Sequence, residues 1–415
     1  AIFRMAVSEG YARRNPADRF EQATSPPARD QALELALWGA RFSGVAREAG
    51  EVLRRLARSV SIRERLDFSC AVFDQHGTLI ANAPHVPVHL GAMGETVRDV
   101  IRHVADVRPG DAWLTNDPQA GGSHLPDLTV VSCVGLEGGI AFVASRAHHV
   151  DVGGLTAGSL PPHSRTMVDE GMVFRRWPIL MGGALRLPVL TESRAPETVA
   201  ADLVAQLAAN RHAATALAAL GAAAEIARWM AELVRAVEAA TDQVVAGLSG
   251  DAEDWIGGVP LRLSVGGGRF DWTGTGGPHP GNLNAPPGVL RAAILYAVRV
   301  LSGRDLPLNE GVLRRIELKL PQCSIIDPPA GAAVVGGNVE TSQRLVDLVF
   351  AAVGARAASA GTMNNLTLGG DGWAFYETIG GGLGAREGSD GRSGGQLHMT
   401  NTRATDPEVL AARLP

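Results

Sequence analysis

Two short apolar runs joined by a glycine turn constrain the fold of this chain most strongly, because reactive polar residues flank both of them. The runs LTVVSCV and IAFVASRA are rich in β-branched residues and are separated by GLEGG. This pattern predicts two antiparallel strands joined by a tight turn. The residues before the first run and after the second then meet at the same end of a sheet.

The residues that meet there are the richest set of metal-ligand side chains in the chain. In sequence order they are Asp117, His124, Asp127, His148, His149 and Asp151. Imidazole nitrogen and carboxylate oxygen together suit Zn, Mn or Fe. Each residue alone also has a structural explanation, since Asn-Asp-Pro and Leu-Pro-Asp are ordinary turn formers. Their convergence on one hairpin favours a site for a divalent transition metal.

We predict that His124, Asp127 and His149 are ligands of this metal. Successive side chains of a strand point to opposite faces, so only one of the two adjacent histidines faces the site, and we favour His149. His148 then packs elsewhere or supports the ligands from behind. Asp151 lies two residues beyond His149, on the same face, and either orients that imidazole or binds the metal directly.

Length and periodicity predict an α+β fold, with mixed β-sheets and hairpins packed by helices. The chain has 415 residues and no Pro/Ser-rich linker, which indicates one large compact body. Alanine and leucine dominate a helical insertion near residues 195–248, in which Asn210, Gly221 and Gly247 predict interruptions. Residues 1–34 are predicted to be an extension or linker of unknown role.

Charge and hydropathy exclude two classes of partner. The net charge is −5 with both signs interspersed, so there is no basic stripe for nucleic acid. No run of eighteen uncharged apolar residues exists, so we expect no membrane span. Cys70, Cys133 and Cys323 lie far apart and are odd in number, which indicates a reducing cytoplasm and cysteines that pack as small apolar residues.

The last hundred residues are rich in glycine, concentrated in GGDGW, IGGGLG and DGRSGG. Tight turns between short strands explain such glycines better than contact with a ligand does. None of these loops is followed by Lys-Ser or Lys-Thr, so the chain has no phosphate-binding loop of the P-loop type.

Several long motifs resemble those of the hydantoinase B family, which includes parts of ATP-dependent oxoprolinases, N-methylhydantoinases and caprolactamases and, more distantly, of acetone-type carboxylases. The motifs that carry the resemblance are RERLDFSCAVFDQHGTLIANAPHVPVHLGAM, GDAWLTNDPQAGGSHLPDLTVV, SRAHHVDVGGLTAGSLPP, GGNVETSQR, GTMNNLTLGG, YETIGGGLGA and HMTNTRATDPEVL. The resemblance runs from about residue 35 to residue 415, which we expect to be a hydantoinase B-like catalytic region. Because the chain begins without Met and stops at Arg-Leu-Pro, we expect a fragment truncated at its C-terminus.

The resemblance implies a division of labour within a hetero-oligomer or a fused protein. An actin-like partner would use ATP to phosphorylate a cyclic amide, and this chain would hydrolyse the activated substrate at its metal site. The RERLDFS motif adds Asp67 to the metal ligands. Asp127, His149 and Glu340 are the predicted catalytic residues.

Four further residues have both a catalytic and a structural interpretation. Glu340 and Glu377 lie in glycine-flanked loops and would either transfer protons or accept structural hydrogen bonds. His85 and His89 lie in a proline-containing loop and would either bind substrate or serve the loop itself.

Three functions compete at this point. The favoured one is a subunit of an ATP-dependent oxoprolinase or hydantoinase. The second is a subunit of an acetone-type ketone carboxylase. The third is a non-catalytic scaffold in which the histidines are structural, and the complete ligand set argues against it.

Overall fold

The structure, a computed structural model, describes residues 26–82, 86–370 and 373–412. Within these ranges the strands form four sheets, the two largest of which have seven and four strands. The predicted α+β class, with mixed sheets and hairpins packed by helices, is confirmed. Most of the predicted extension, residues 1–34, lies outside the described residues, and the helix that begins at Pro26 continues to Leu56.

The helices range from single turns to one of 31 residues. They are α1 (Pro26–Leu56), α2 (Val60–Arg63), α3 (Met93–His103), α4 (Met167–Glu170), α5 (Pro196–Ala218), α6 (Ala223–Gly247), α7 (Pro287–Ser302), α8 (Ser342–Ala352) and α9 (Pro407–Ala411). Shorter 3-10 turns cover Pro87–His89, Pro118–Ala120, Ala157–Ser159 and Glu310–Leu313. A π-helical turn, Gly337–Thr341, leads directly into α8.

The seven-stranded sheet is antiparallel throughout and has the order β2-β1-β5-β4-β3-β6-β7. Its strands are β1 (Phe68–Phe73), β2 (Leu79–Asn82), β3 (Ala112–Thr115), β4 (Asp127–Leu136), β5 (Gly139–His148), β6 (Trp177–Met181) and β7 (Ala184–Leu185). The smaller sheets contain β8 (Ser249–Ile256), β9 (Val259–Gly266), β10 (Arg269–Asp271) and β11 (Glu317–Lys319), then β12 (Asn365–Gly370) with β13 (Trp373–Thr378), and β14 (Gly381–Leu383) with β15 (Arg392–Gly395).

Strands β4 and β5 form the predicted hairpin at the centre of the large sheet. Leu136 pairs with Gly139, so the turn between them has only two residues, and Gly138 adopts a φ of 85° there. Two-residue turns of this kind fix the register of the strands they join. At the far end of the hairpin Asp127 is paired with His148.

Helices cover both faces of this sheet. Along β5, Ala147 packs with α1 and α5 in one apolar cluster, whereas Ala144 packs with α3 in another. Side chains alternate along a strand, so His148 continues the face covered by α3. The pair Asp127 and His148 therefore lies on the face of the sheet that α3 covers.

The helical insertion predicted near residues 195–248 is confirmed as α5 and α6. The break between them falls at Gly221, whose φ of 145° suits glycine, and α6 ends at Gly247. The predicted interruption at Asn210 is wrong, because α5 continues to Ala218. The Asn210 side chain is buried and donates a 2.9 Å hydrogen bond to the Val130 carbonyl of the sheet.

The remaining sequence predictions about cysteine and glycine have mixed outcomes. All three cysteines are free, and Cys70 and Cys133 are buried as predicted, but Cys323 is exposed. The glycine-rich segments IGGGLG and DGRSGG contribute to the short strands β14 and β15, as predicted, and the centre of GGDGW lies outside the described residues. Among the described residues, no helix is both long and apolar enough to cross a bilayer.

Gly121 offers a test of how tightly the loop before β4 packs. A Cβ at Gly121 would lie 2.7 Å from both the Ala92 carbonyl oxygen and the Thr96 nitrogen, whereas a Cβ at Gly110 would meet nothing within 4 Å. Both glycines have positive φ, 77° and 89°, so alanine carries a backbone cost of roughly 1–2 kcal/mol at either. Because of overpacking, Gly121→Ala should lower the free energy of unfolding by about 1–3 kcal/mol more than Gly110→Ala does. Chemical denaturation of the two variants measures this difference. Equal losses in the two variants would contradict this packing.

Candidate metal centre

Three predicted residues, two of them histidines, meet around one carboxylate oxygen. Asp127 Oδ1 lies 3.1 Å from His124 Nε2 and 3.3 Å from His148 Nδ1. The two imidazole nitrogens are 3.2 Å apart. All three side chains are buried, with residue exposures of 2% or less. We call this group the His-Asp-His cluster.

The chain brings these residues together through one hairpin and the loop before it. Asp127 is the first residue of β4 and His148 is the last of β5, and residues paired across neighbouring strands project to the same face. His124 comes from the loop that follows the 3-10 turn Pro118–Ala120. A Cβ at Gly122 would lie 2.5 Å from the Asn116 carbonyl oxygen, so this loop requires glycine to fold so closely upon itself.

The structure reverses the predicted order of the two adjacent histidines. His148, and not His149, faces the cluster, because the two-residue turn pairs His148 directly with Asp127. His149 points toward α5, where its Nε2 lies 2.9 Å from Gln206 Oε1. The two histidines do point to opposite faces, but the register of the hairpin decides which of them faces the cluster. Placing the turn at Glu137 and Gly138 would have supplied that register from the sequence.

Two predicted aspartates organise loops instead of joining the cluster. Asp151 accepts hydrogen bonds from the backbone nitrogens of Gly153 and Gly158 and pairs with Arg194 at 3.1 Å. Asp117 caps the 3-10 turn that follows it and pairs with Arg175 at 2.7 Å. The predicted support of His149 by Asp151 is therefore not what the structure has.

Asp67 borders the cluster without belonging to it. Its side chain is not among the groups whose ligand atoms all lie within 4.8 Å of one another, which for the described residues are His124, Asp127 and His148. Its backbone oxygen accepts a 3.0 Å hydrogen bond from the His148 nitrogen, and its carboxylate acts to raise the pKa of His148. His85 lies outside the described residues.

The two glutamates singled out in glycine-flanked loops both have structural partners. Glu340 accepts a 2.6 Å hydrogen bond from the Thr362 hydroxyl, and its pKa is raised by burial, against the opposing effects of Thr362 and Arg344. Glu377 lies 3.0 Å from Arg65 Nε and accepts a hydrogen bond from the Thr405 nitrogen. The structural interpretation fits Glu377, and the catalytic role of Glu340 remains a prediction.

Two partners of Asp127 were missed by the sequence analysis. The sequence predicts for His89 only a role in substrate binding or in its loop, but its Nε2 lies 3.3 Å from Asp127 Oδ2, and its Nδ1 lies 3.1 Å from the Ser69 hydroxyl. Ser123 donates a short hydrogen bond to the same carboxylate oxygen. Its place directly before His124 in GGSHLPD was the one signal available for Ser123.

The electrostatics of the cluster favour an ionised Asp127 carboxylate and a neutral His148 imidazole. Burial alone raises the pKa of Asp127, but the charges of His124 and His89 and the hydrogen bonds from His124 and His148 outweigh burial and hold that pKa well below its ordinary value. Burial lowers the pKa of His148 despite the opposing effects of Asp127 and Asp67. Ionised carboxylate and neutral imidazole are the forms that bind metal ions.

A buried arginine lies beneath the cluster on the same face of β5. Arg146 is fully buried and donates to the Thr129 and Thr96 hydroxyls and to the Gly121 carbonyl. Burial lowers its pKa to about 10, and the charge of Asp127 opposes this shift. Arg146 thus ties the loop before His124 to α3 and β4 and places a positive charge near the carboxylate.

The cluster has the dimensions of a site for one divalent ion. Ligand atoms 2.0–2.2 Å from a tetrahedral ion are about 3.3–3.6 Å apart. The three donor atoms here are 3.1–3.3 Å apart and buried together. Two imidazole nitrogens and one carboxylate oxygen are also the chemistry that Zn, Mn and Fe accept. The residues present therefore fit a divalent transition metal.

Sequence comparison defines the class of protein to which this fold and site belong. The profile of the hydantoinase B/oxoprolinase family matches residues 31–415. The chain belongs to this family.

One similar relative is 5-oxoprolinase 1 of Arabidopsis thaliana, which is 40% identical over 92% of this chain and 34% of its own length. The chain spans about a third of the length of the curated relatives it matches first.

Two solved structures share the fold at low sequence identity. The ATP-dependent caprolactamase of Pseudomonas jessenii superposes with a TM-score of 0.82 at 20% identity, covering 94% of this chain and 73% of that one. Nucleotide-free acetone carboxylase superposes with a TM-score of 0.80 at 16% identity, covering 94% of this chain and 59% of that one. At these identities the similarity establishes the fold alone.

Alanine at each of the two adjacent histidines should separate their roles. His148→Ala removes a nitrogen of the cluster, so we expect the purified protein to lose most of its bound divalent metal, whereas His149→Ala should retain it. Elemental analysis measures this directly. Both variants remove a buried imidazole of the same size, so thermal unfolding of the pair controls for general destabilisation. Metal loss in His149→Ala with retention in His148→Ala would contradict the assignment.

Proposed function

We propose that this chain supplies the hydrolytic centre of an ATP-dependent cyclic-amide hydrolase, with 5-oxoproline-type lactams as its substrate class. The observation that carries the proposal is the buried His-Asp-His cluster, whose donor atoms fit one divalent ion. Similarity to a 5-oxoprolinase at 40% identity supports the lactam over a hydantoin or a ketone.

His124, Asp127 and His148 would hold the ion. A divalent ion held there supplies Lewis-acid chemistry, which activates water and polarises a carbonyl or acyl-phosphate oxygen. Asp127 is kept ionised by its surroundings, and Ser123 and His89 hold its second oxygen, so the carboxylate keeps one orientation. The helices and loops around these residues exclude bulk water from the cluster.

The reaction needs a partner because an unactivated lactam is a poor electrophile. A nucleotide-binding part with an actin-like fold would transfer a phosphoryl group from ATP to the amide oxygen. One water then adds to the activated carbon and the carbon–nitrogen bond breaks, which yields a free amine and an acyl phosphate. A second water hydrolyses the acyl phosphate to a carboxylate and inorganic phosphate. The part that binds ATP would be a separate subunit or a fused segment, since the curated relatives extend well beyond the matched region.

Asp127→Asn should separate the two halves of this reaction. Asparagine keeps the shape of the side chain and removes its negative charge, so metal affinity should fall while the partner's phosphorylation of the substrate continues. In the complete enzyme we expect phosphorylated substrate to accumulate, or ATP to turn over slowly without ring-opened product. Phosphorus NMR of quenched reactions detects the intermediate. Ring opening at the wild-type rate would refute the role of Asp127.

The choice of substrate class is tested by ATP turnover. The complete enzyme should hydrolyse ATP faster with 5-oxoproline than without it, and should not respond to a ketone plus bicarbonate. As a control, calorimetry should detect no tight ATP binding by this chain alone. Acceleration by the ketone pair would favour the carboxylase alternative, and no response to either substrate would favour a scaffold.

A further inference from the structure

Three planar groups stack from the protein interior onto the His-Asp-His cluster. The rings of His148 and Tyr376 are stacked with centroids 4.4 Å apart and planes 21° apart. The guanidinium carbon of Arg65 lies 4.4 Å from the centroid of the Tyr376 ring. All three residues are buried, and Arg65 is fully so. Tyr376 comes from β13, in a sheet separate from the one that carries His148.

Arg65 joins the segments that meet at this stack. It donates to the Tyr376 carbonyl at 3.0 Å and to the Thr378 hydroxyl at 2.7 Å, and its Nε lies 3.0 Å from Glu377 Oε1. Two residues further along the chain, the backbone oxygen of Asp67 accepts the hydrogen bond from the His148 nitrogen. One short segment therefore holds both the backbone of His148 and the strand that covers its ring.

The ring of His148 needs this support because its outer nitrogen has none. Metal-binding imidazoles usually donate their second N–H to a carboxylate, carbonyl or water, which fixes the orientation of the ring. In the part of the chain that the structure describes, His148 Nε2 is buried and has no hydrogen-bond partner. A stacked aromatic face is then what restrains rotation of the imidazole about its bond to the chain.

Tyr376 acts on His148 through its ring and not through its hydroxyl. The Tyr376 hydroxyl lies 3.1 Å from the Thr378 hydroxyl, which also accepts from Arg65. That contact anchors the hydroxyl end of the tyrosine to a residue of its own strand. Phenylalanine would keep the stacking face and lose only this anchor.

We propose that Tyr376 is a positioning residue that orients the His148 imidazole for metal binding, and that Arg65 and Thr378 hold Tyr376 in place. The proposal rests on the metal site of the proposed function. The glycine-rich C-terminal region then contributes to the site, since β13 carries the Tyr376 ring on which His148 stacks. The proposal also gives a role to Arg65, whose complete burial costs free energy of desolvation.

The test compares three variants of the intact protein in zinc affinity, measured by chelator competition, and in the visible absorption of the cobalt-loaded form. Tyr376→Leu removes the stacking ring and should weaken zinc binding roughly 10–100-fold, the effect typical of residues that orient metal ligands. Tyr376→Phe should restore affinity and the cobalt spectrum close to wild type. Phe375→Leu is the control, because Phe375 is the buried neighbour on β13 whose side chain points to the opposite face.

Each outcome of this comparison bears on the proposal. Wild-type affinity and spectrum in Tyr376→Leu would overturn it, as would equal losses in Tyr376→Phe or in Phe375→Leu, which would indicate general damage to the hairpin. If Tyr376→Leu fails to fold, Tyr376→Met, which fills more of the same space without a flat ring, takes its place and should still weaken zinc binding; unchanged affinity then overturns the proposal. A wild-type protein that binds neither zinc nor cobalt would instead show that the proposed metal site is wrong.

Discussion

The arrangement of this end of the fold depends on one buried, ionised carboxylate. Removing a carboxylate from water costs several kcal/mol unless hydrogen bonds and opposite charges compensate. Asp127 receives that compensation from His124, His148, His89 and Ser123, which come from three different segments. The loop before β4, the 3-10 turn Pro87–His89 and the hairpin must therefore be in place together for the carboxylate to be stable.

The two faces of the central sheet carry different kinds of side chain. Its face toward α1 and α5 is apolar or uses buried amides such as Gln206 and Asn210 to satisfy strand carbonyls. Its face toward α3 is apolar near the turn and becomes polar toward the open end, where Arg146 and then His148 follow one another at two-residue spacing. The same period-two alternation that builds the core thus places the His148 imidazole and the charge of Arg146 on one face of the sheet.

Local sequence patterns predicted the parts of this structure that local physics determines. The β4–β5 hairpin, the helices α5 and α6 and the proximity of His124 and Asp127 follow from β-branched runs, helical periodicity and residue spacing. The prediction that His149 faces the cluster is wrong, because it depends on the register of the hairpin. A shift of one residue in that register moves every side chain of the strand to the other face of the sheet. The stacking of Tyr376 and Arg65 could not be predicted from local sequence patterns, since it joins segments 311 residues apart through tertiary packing alone.

A crystal structure of the protein loaded with zinc, with anomalous diffraction measured at the zinc edge, would locate the bound ion. We expect one strong anomalous peak about 2.0–2.2 Å from His124 Nε2, an Asp127 oxygen and His148 Nδ1. His149 should remain bonded to Gln206 in that structure. An anomalous peak bound by His149, or no peak at Asp127 in zinc-saturated crystals, would contradict this expectation.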